Sequence, residues 1–382
     1  MTKKKAVVIL PAYNEREGLK ELIPQIFTAT QDLDRWDVQI LVVDANSPDG
    51  TINEINTLQK KHPGKLHLLV ETKKEGLGRA YVKGFKHAIA EHNPYVMFEM
   101  DADGQHTASL IPAFLEKIEA GADFVIGSRY IKGGSVPDNW GIDRKMFSRV
   151  GSLVAQVGFM NFKAKDWTSG YRCIKTFFLK DVVDHMHHYN GYEFQIALLD
   201  KAFKKHLKID EVPLVFTDRK DGVSKFNSIA FITKALMYIL TQSSFVRFSF
   251  VGLSGAVVDF GFAALFIYLF NIFKPTANAM SAEIAIIFNF LMNNFWSFKH
   301  KKIKNSFLKK FLHFNVVASG SIAIQWVGMK LALDAFGDQV VPLPFIGIHS
   351  WMIYKVFIIA VLVIPYSYIT YNKIIWKTPR KS

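Results

Sequence analysis

The chain has 382 residues, more than one ordinary compact domain uses and enough for two. Half of them are hydrophobic, 33 are Phe, and the formal charge is +14, which suits a nucleic acid, an anionic membrane or a phosphorylated substrate as partner. Cys173 stands alone, which excludes an intrachain disulfide and a cysteine-based metal site and is compatible with a reducing compartment.

The N-terminal Met1-Thr2-Lys3-Lys4-Lys5 followed by apolar residues 6–10 has the outline of a signal peptide. The apolar stretch is too short and runs into Pro11 and Asn14, so it reads as a buried parallel strand. Residues 14–30 read as a helix, 39–44 as a strand ending in an acid, and 51–62 as a helix. A strand at 66–71, a helix at about 78–92 and a strand at 95–101, again ending in acid, come next. Residues 109–120 are helical and 123–127 form another strand. This alternation predicts a mostly parallel α/β sheet, whose ligands bind at the carboxyl ends of the strands. Tyr13, Asp44 and Asp101 lie at or just past such ends.

Residues 227–242 carry Ile229, Ile232, Leu236 and Ile239 at helical spacing and precede a long apolar run, the pattern of an interfacial helix. Four runs then approach the length that spans a bilayer, at about 245–270, 276–298, 311–336 and 351–371. The loop between the second and third holds Lys299, Lys301, Lys302, Lys304, Lys309 and Lys310, and the tail holds Lys373, Lys377, Arg380 and Lys381. Of the other two loops, the first offers only Lys274 and the second no Lys or Arg. Basic loops face the cytosol, so four crossings put the N-terminal domain there as well. Trp351, Tyr354, Tyr366, Tyr368 and Tyr371 suit an aromatic interface belt. The membrane runs favour a lipid or phosphorylated partner. No recognition-helix, zinc or RNA-binding signature supports a nucleic acid.

Chemistry concentrates at three strand ends. In Asp101-Ala102-Asp103-Gly104-Gln105-His106, two carboxylates at i and i+2 can converge on one divalent cation with a donor diphosphate, and Gln105 adds a neutral oxygen. Hard oxygen ligands suit Mg2+ or Mn2+. In Pro11-Ala12-Tyr13-Asn14-Glu15 a strand breaks and feeds a helix N-terminus, which can meet anionic phosphate. In Val43-Asp44-Ala45-Asn46-Ser47-Pro48-Asp49-Gly50-Thr51, Asp44 can accept hydrogen bonds from a nucleobase or ribose, and residues 47–50 make a turn.

Together these segments resemble the family 2 glycosyltransferases of GT-A fold. The order continues through Gly76-Leu77-Gly78-Arg79-Ala80, Gly127-Ser128-Arg129-Tyr130 and Thr168-Ser169-Gly170-Tyr171-Arg172. Gly191-Tyr192-Glu193-Phe194-Gln195 follows, and then Arg219 with Gly222, Ser224 and Lys225. The set is similar to the dolichol- or polyprenol-phosphate mannose synthase subgroup over roughly residues 5–230, and the tail resembles the GtrA-like membrane family. Ala45 departs from the pattern, standing where the subgroup carries a second acid.

The resemblance implies a Rossmann-like α/β catalytic domain over 1–225, an amphipathic helix at 226–242 and an all-α four-helix transmembrane domain over 243–382. It implies an integral, multi-pass membrane protein with its catalytic domain on the cytosolic face. Pro11, Tyr13, Glu15, Asp44 and Ala102 would then line the nucleotide-sugar site, with Asp101, Asp103 and Gln105 on the metal and donor diphosphate. Arg129 would meet the acceptor phosphate, with Arg144, Arg219, Ser224 and Lys225 as further candidates. Asp101, Asp103 and Arg129 are the expected catalytic set, and Glu193 could act as a base or position the sugar or metal. The implied reaction is inverting transfer of mannose from GDP-mannose to a polyprenyl (dolichyl) phosphate.

An acceptor of that kind fits the residues. A phosphate monoester, with a second pKa of about 6, is largely dianionic at neutral pH, so it needs cationic holders rather than a base. UDP-glucose is the alternative donor. A processive polysaccharide synthase would carry Gln-x-x-Arg-Trp after the catalytic core, which is absent there. A lipid flippase or transporter with a regulatory soluble domain would give Asp259 and Glu283, both within the apolar runs, a direct role.

Overall fold

The computed structural model describes residues 2–376 apart from 139, 192, 218–227, 273, 300–305, 338 and 343–346. It divides into two compact units, Met1–Leu240 and Thr241–Ser382.

The first unit is built on a seven-stranded sheet. The strands are β1 (Lys4–Ala12), β2 (Trp36–Asp44), β3 (Leu66–Val70), β4 (Val96–Glu99), β5 (Phe124–Ser128), β6 (Arg172–Lys175) and β7 (Ile209–Pro213). Their spatial order is β3-β2-β1-β4-β6-β5-β7. Neighbours pair in parallel except β6, which runs antiparallel to both β4 and β5. Around the sheet lie α1 (Arg16–Thr30), α2 (Thr51–Lys61), α3 (Leu77–Glu91), α4 (Ile111–Glu119), α5 (Ile142–Phe159), α6 (Thr176–Val182), α7 (Glu193–Lys204) and α8 (Ser228–Gln242).

Ala6, Val7, Val8, Ile9 and Leu10 are all fully buried, because this central strand has layers on both faces. On α1, Leu19, Leu22, Ile23 and Ile26 recur at the helical period and reach the core that holds Val42, Phe98 and Phe114. The predicted elements up to residue 127 are all present. β2 starts earlier than its apolar run suggests, at Trp36, whose ring is buried while its Nε1 donates to Glu119 Oε1 at 2.7 Å. Between residue 130 and α8 the chain adds three helices, α5 to α7, and two sheet strands, β6 and β7, that motif reading does not delimit.

α8 belongs with this unit and is less one-sided than its spacing predicts. Ile239 is buried, as are Ala235 and Tyr238, and the Tyr238 hydroxyl donates to Asp200 Oδ2 at 2.7 Å. Leu236, Met237 and Leu240 remain exposed.

The second unit is helical. It contains α9 (Ser244–Ala264), α10 (Lys274–Met292), α11 (Phe307–Phe336), α12 (Ser350–Ile358) and α13 (Ile364–Ile374), with a short hairpin of β8 (Val340–Pro342) and β9 (Gly347–His349). π-helical turns at Leu265–Leu269 and Asn293–Ser297 extend α9 and α10, and a third at Ile359–Val363 joins α12 to α13. Helix thus covers all four apolar runs. Among the described residues, two helices are long and apolar enough to cross a membrane, Ser244–Leu269 and Val356–Ile374. His313, Asn315 and Gln325 dilute the third run, and Glu283, Asn289, Asn293 and Asn294 the second. Within this unit Phe314 stacks on Tyr371 at 4.4 Å and Phe298 on Trp376 at 4.3 Å, while Val257, Phe260 and Tyr268 point outward.

One close approach in the first unit brings a late segment to the sheet's carboxyl end. Gly76 has φ +104°, and a Cβ there would lie 2.2 Å from the Asn190 carbonyl oxygen. The first turn of α3 therefore meets the backbone just ahead of Glu193. Gly76→Ala should combine left-handed strain with a clash and cost about 1–3 kcal/mol, read as a lower melting temperature in detergent. An unchanged melting temperature would show that the 189–191 backbone yields freely.

Candidate active site

The carboxyl ends of β1, β2, β4 and β5 open on one edge of the sheet, and loops cross-linked by short side chains surround it. After β1, Asn14 adopts φ 58° and its N–H donates to Ser47 Oγ at 2.9 Å. The Glu15 N–H donates to Thr51 Oγ1 and the Arg16 N–H to Asp49 Oδ2. Thr51 Oγ1 in turn donates to Asp49 Oδ1 at 2.6 Å. The polar residues of the second motif thus fasten the loop after β2 to the start of α1.

Asp44 is fully buried, and its two oxygens accept from the Ser47 N–H at 2.8 Å and the Ser47 Oγ at 2.7 Å. Its visible work is to shape this loop. Ala45 is buried and its N–H donates to the Ala12 carbonyl. A second acid at this position would be buried as well. Pro11, Tyr13 and Glu15 are partly exposed, and Lys74 Nζ sits 4.2 Å from the centre of the Tyr13 ring.

β4 stops at Glu99, and the chain turns through Gly104 at φ +77°. His106 locks this turn. Its Nδ1 accepts from the Asp101 N–H at 3.0 Å, its ring stacks on Tyr171 at 4.8 Å, and its Nε2 faces Asp101 Oδ2 at 3.8 Å. The Tyr81 hydroxyl donates to Asp101 Oδ1 at 3.4 Å. Asp103 Oδ1 accepts from the Gln105 N–H, and Gln105 Nε2 donates to the Thr217 carbonyl at 3.3 Å. Ala102 is buried, with its carbonyl oxygen 2.9 Å from where a Cβ on Gly18 would stand. Among the described residues, no three His, Cys, Asp or Glu side chains gather as a ready-made metal cage. Two carboxylates from one tight turn fit instead a hard cation that completes its shell with phosphate oxygens and water.

Arg129, just past β5, is aimed by a partner that the motifs do not reveal. Its Nε and NH2 donate to Asp166 Oδ2 and Oδ1 at 2.7 and 2.8 Å, and NH2 also donates to Thr168 Oγ1 at 2.8 Å. Three of its five N–H donors are thereby fixed, leaving the two on NH1. Asp166 is fully buried and also accepts from the N–H groups of Arg129, Thr168 and Ser169. Burial alone would raise its pKa, but the Arg129 charge and these donors hold it below the usual carboxylate range. The sequence signal was present: an acid two residues ahead of Thr168-Ser169 is the start of an Asx turn.

A second buried pair lies beneath Asp101. Glu99 and Arg172 face each other across β4 and β6, both fully buried, with Nε and Oε2 3.8 Å apart. Burial pushes Glu99 up to about 7, with Asp101 adding to the rise and Arg172 opposing it. Arg172 NH1 donates to the Gln195 carbonyl at 2.7 Å. Glu193 is also buried and its Oε1 accepts from the Gly191 N–H at 3.1 Å, while Oε2 has no hydrogen-bond partner among the described residues. Arg144 is on α5, but its side chain lies outside the described residues, as do Arg219, Ser224 and Lys225.

With this geometry in place, the relatives are informative. Residues 7–190 match the model for glycosyl transferase family 2, and residues 247–376 match that for the GtrA/DPMS transmembrane domain. The chain is 34% identical over 352 residues to a dolichol-phosphate mannosyltransferase of Pyrococcus furiosus, covering 90% of this chain and 92% of the relative. It is 36% identical over 223 residues to a polyprenol monophosphomannose synthase of Mycolicibacterium smegmatis, covering 58% of this chain and 81% of that one. It is 36% identical over 223 residues to an undecaprenyl-phosphate mannosyltransferase of Micrococcus luteus, covering 58% and 88%. The chain belongs to the family 2 glycosyltransferases, in the branch that carries a GtrA/DPMS transmembrane domain. It is a membrane-bound glycosyltransferase whose catalytic unit has the GT-A type of α/β fold.

The Arg129–Asp166 pair yields a pH test. In the parent chain the depressed Asp166 carboxyl contributes stability that is present above about pH 4 and is lost as pH falls through its folded pKa. In Arg129→Ala the same carboxyl is buried without its cation, so its pKa rises above the unfolded value. That variant should be about 3–5 kcal/mol less stable at neutral pH. It should regain stability as pH falls from 7 towards 4, a range over which this carboxyl's contribution to the parent stays in place. Melting temperatures in detergent from pH 4 to 7 check the sign, and parallel profiles would show that the pair carries no such coupling.

Proposed function

We propose that this enzyme transfers mannose from GDP-mannose to a polyprenyl (dolichyl) phosphate, giving polyprenyl phosphate mannose and GDP. The observation that carries the reading is the 34% identity to a dolichol-phosphate mannosyltransferase, which runs through both units of the chain. In this reaction an acceptor phosphate oxygen attacks the anomeric carbon from the face opposite the nucleotide. The bond from that carbon to the diphosphate oxygen breaks with its electron pair going to GDP, and the configuration inverts. The acceptor is already an anion at neutral pH, which agrees with a site rich in Arg.

Arg129 presents its NH1 donors to the acceptor phosphate while Asp166 fixes the plane of the guanidinium. Arg144, Arg219, Ser224 and Lys225 complete the acceptor site in this reading. Pro11, Tyr13, Glu15 and Ala102 line the nucleotide-sugar site, and Asp44 acts there through the loop it shapes. Asp101 and Asp103 hold Mg2+ or Mn2+, with Gln105 offering its remaining amide oxygen. The cation offsets charge on the departing diphosphate when bound. Glu193 positions the sugar, since the acceptor has no proton to lose.

The membrane unit crosses four times, with the basic loop after α10 and the basic tail in the cytosol, and the catalytic unit is therefore cytosolic. α8 lies at the membrane interface between the two units' sequences.

Two experiments test the assignment. Asp103→Ala should lower transfer at least about a hundredfold and abolish Mn2+ binding seen by spin resonance, with an unchanged melting temperature. Full transfer by the parent in excess chelator would remove the metal from the mechanism. A panel of nucleotide sugars with one short polyprenyl phosphate should give turnover with GDP-mannose. Turnover with UDP-glucose while GDP-mannose stays inert would overturn the choice of donor.

A further inference from the structure

Lys234 and Tyr238 lie four residues apart on α8, so their side chains leave the same face of the helix. Both are directed at α7 and the segment that leads into it. The Tyr238 hydroxyl donates to Asp200 Oδ2 at 2.7 Å, and its ring meets that of Tyr189 edge-on at 5.3 Å. Lys234 Nζ donates to Asn190 Oδ1 at 2.8 Å and stands 4.0 Å from Glu193 Oε1. Lys234 is the single charged residue of this 15-residue helix.

The segment it reaches is wired to the Asp101 turn. The Gly78 N–H donates to the Asn190 carbonyl at 3.4 Å, and a Cβ on Gly78 would stand 2.2 Å from the Tyr189 carbonyl oxygen. Tyr81, one turn further along α3, stacks on Phe194 at 6.0 Å and donates to Asp101 Oδ1. Asp101 Oδ2 and Gln195 Nε2 lie 3.6 and 3.7 Å from one point, the place of a Cβ on Gly170. The first turn of α7 therefore abuts the carboxylates of the site. Glu193 opens that turn and is buried. A buried carboxylate needs donors and a countercharge. The Gly191 N–H supplies a donor to Oε1 at 3.1 Å, and Lys234 supplies the countercharge. The Lys234 side chain is half exposed, so the pair adds little to stability as such. What it does is hold Asn190 and the Glu193 carboxylate in one arrangement.

We propose that Lys234 is a positioning residue for transfer, acting through Asn190 and Glu193 to orient the Glu193 carboxylate beside the Asp101 turn. This role rests on Glu193 positioning the sugar, as read above, and not on which sugar is carried.

The test is a double-mutant cycle on the full chain in detergent, with a short polyprenyl phosphate and whichever of GDP-mannose and UDP-glucose the parent turns over. A wrong choice of donor then shows as an inert GDP-mannose in the parent and leaves the cycle intact. Lys234→Met keeps the apolar stem and suits a helix while removing the charge. It should lower kcat about tenfold or more, with the KM of both substrates and the melting temperature little changed, the mark of an interaction that matters in the transition state. Lys234→Arg, which keeps the charge, should recover most of that loss. In a Glu193→Gln background Lys234→Met should lower kcat no further, because the residue it acts through has already lost its charge. Losses that multiply in the double variant, together with a lower melting temperature, would make Lys234 a merely structural residue and overturn the proposal. A raised KM for the polyprenyl phosphate at constant kcat, persisting in Glu193→Gln, would make Lys234 a direct ligand of the acceptor and overturn it too. So would an unchanged kcat in Lys234→Met.

Discussion

A four-residue strand, Val96–Glu99, flanked by β1 in parallel and by β6 in antiparallel, sets where the site's carboxylates stand. Because β4 ends before Asp101, the two acids fall on the turn and not within the ladder, where a side chain alternates sides with its neighbour. His106 then closes the turn by accepting from the Asp101 backbone, and Gly104 supplies the left-handed residue that the turn requires. The neighbouring loops after β1, β2 and β5 are arranged around that fixed point, each held by hydroxyls and carboxylates directed at backbone N–H groups.

Two buried ion pairs flank the same edge and differ in quality. Arg129 and Asp166 form a forked, two-bond contact in which the carboxylate also collects backbone donors, so its charged form is favoured. Glu99 and Arg172 are farther apart, and neither Glu99 oxygen has a hydrogen-bond partner among the described residues, so burial wins and its carboxyl rises to about 7. A pair of that second kind is weak evidence of stabilisation. The first is the better candidate for holding a guanidinium in one orientation against a phosphate.

The second unit follows a different rule. Its helices turn Val257, Phe260 and Tyr268 outward, where water would penalise them, and place aromatic stacking and the Ser321–Ser367 hydroxyl contact of 2.8 Å inside. That inversion of the soluble pattern is what a hydrocarbon surrounding permits. Ser281 Oγ donates to Asp259 Oδ1 at 2.6 Å, so the acid within α9 has a hydroxyl partner on α10 rather than facing lipid alone.

The sequence by itself determined the two-part plan, the strand–helix alternation to residue 127, and the placing of Tyr13, Asp44 and Asp101 at or just beyond strand ends. Those features are local: an apolar run, a turn-forming Gly104, and an acid after the run report on their own neighbourhood, whereas Pro11, which the sequence reads as a strand break, stays within β1 opposite Val43. The tertiary structure alone decided that β6 enters the sheet antiparallel, that Asp166 captures Arg129 from 37 residues away, and that Asp44 turns inward onto Ser47. It also decided that Met146, Leu153 and Val157 of α5 face out while Ile239 of α8 faces in. Each of these depends on pairings between distant segments, and a helix's period gives the spacing of its apolar residues but not which way that face is turned.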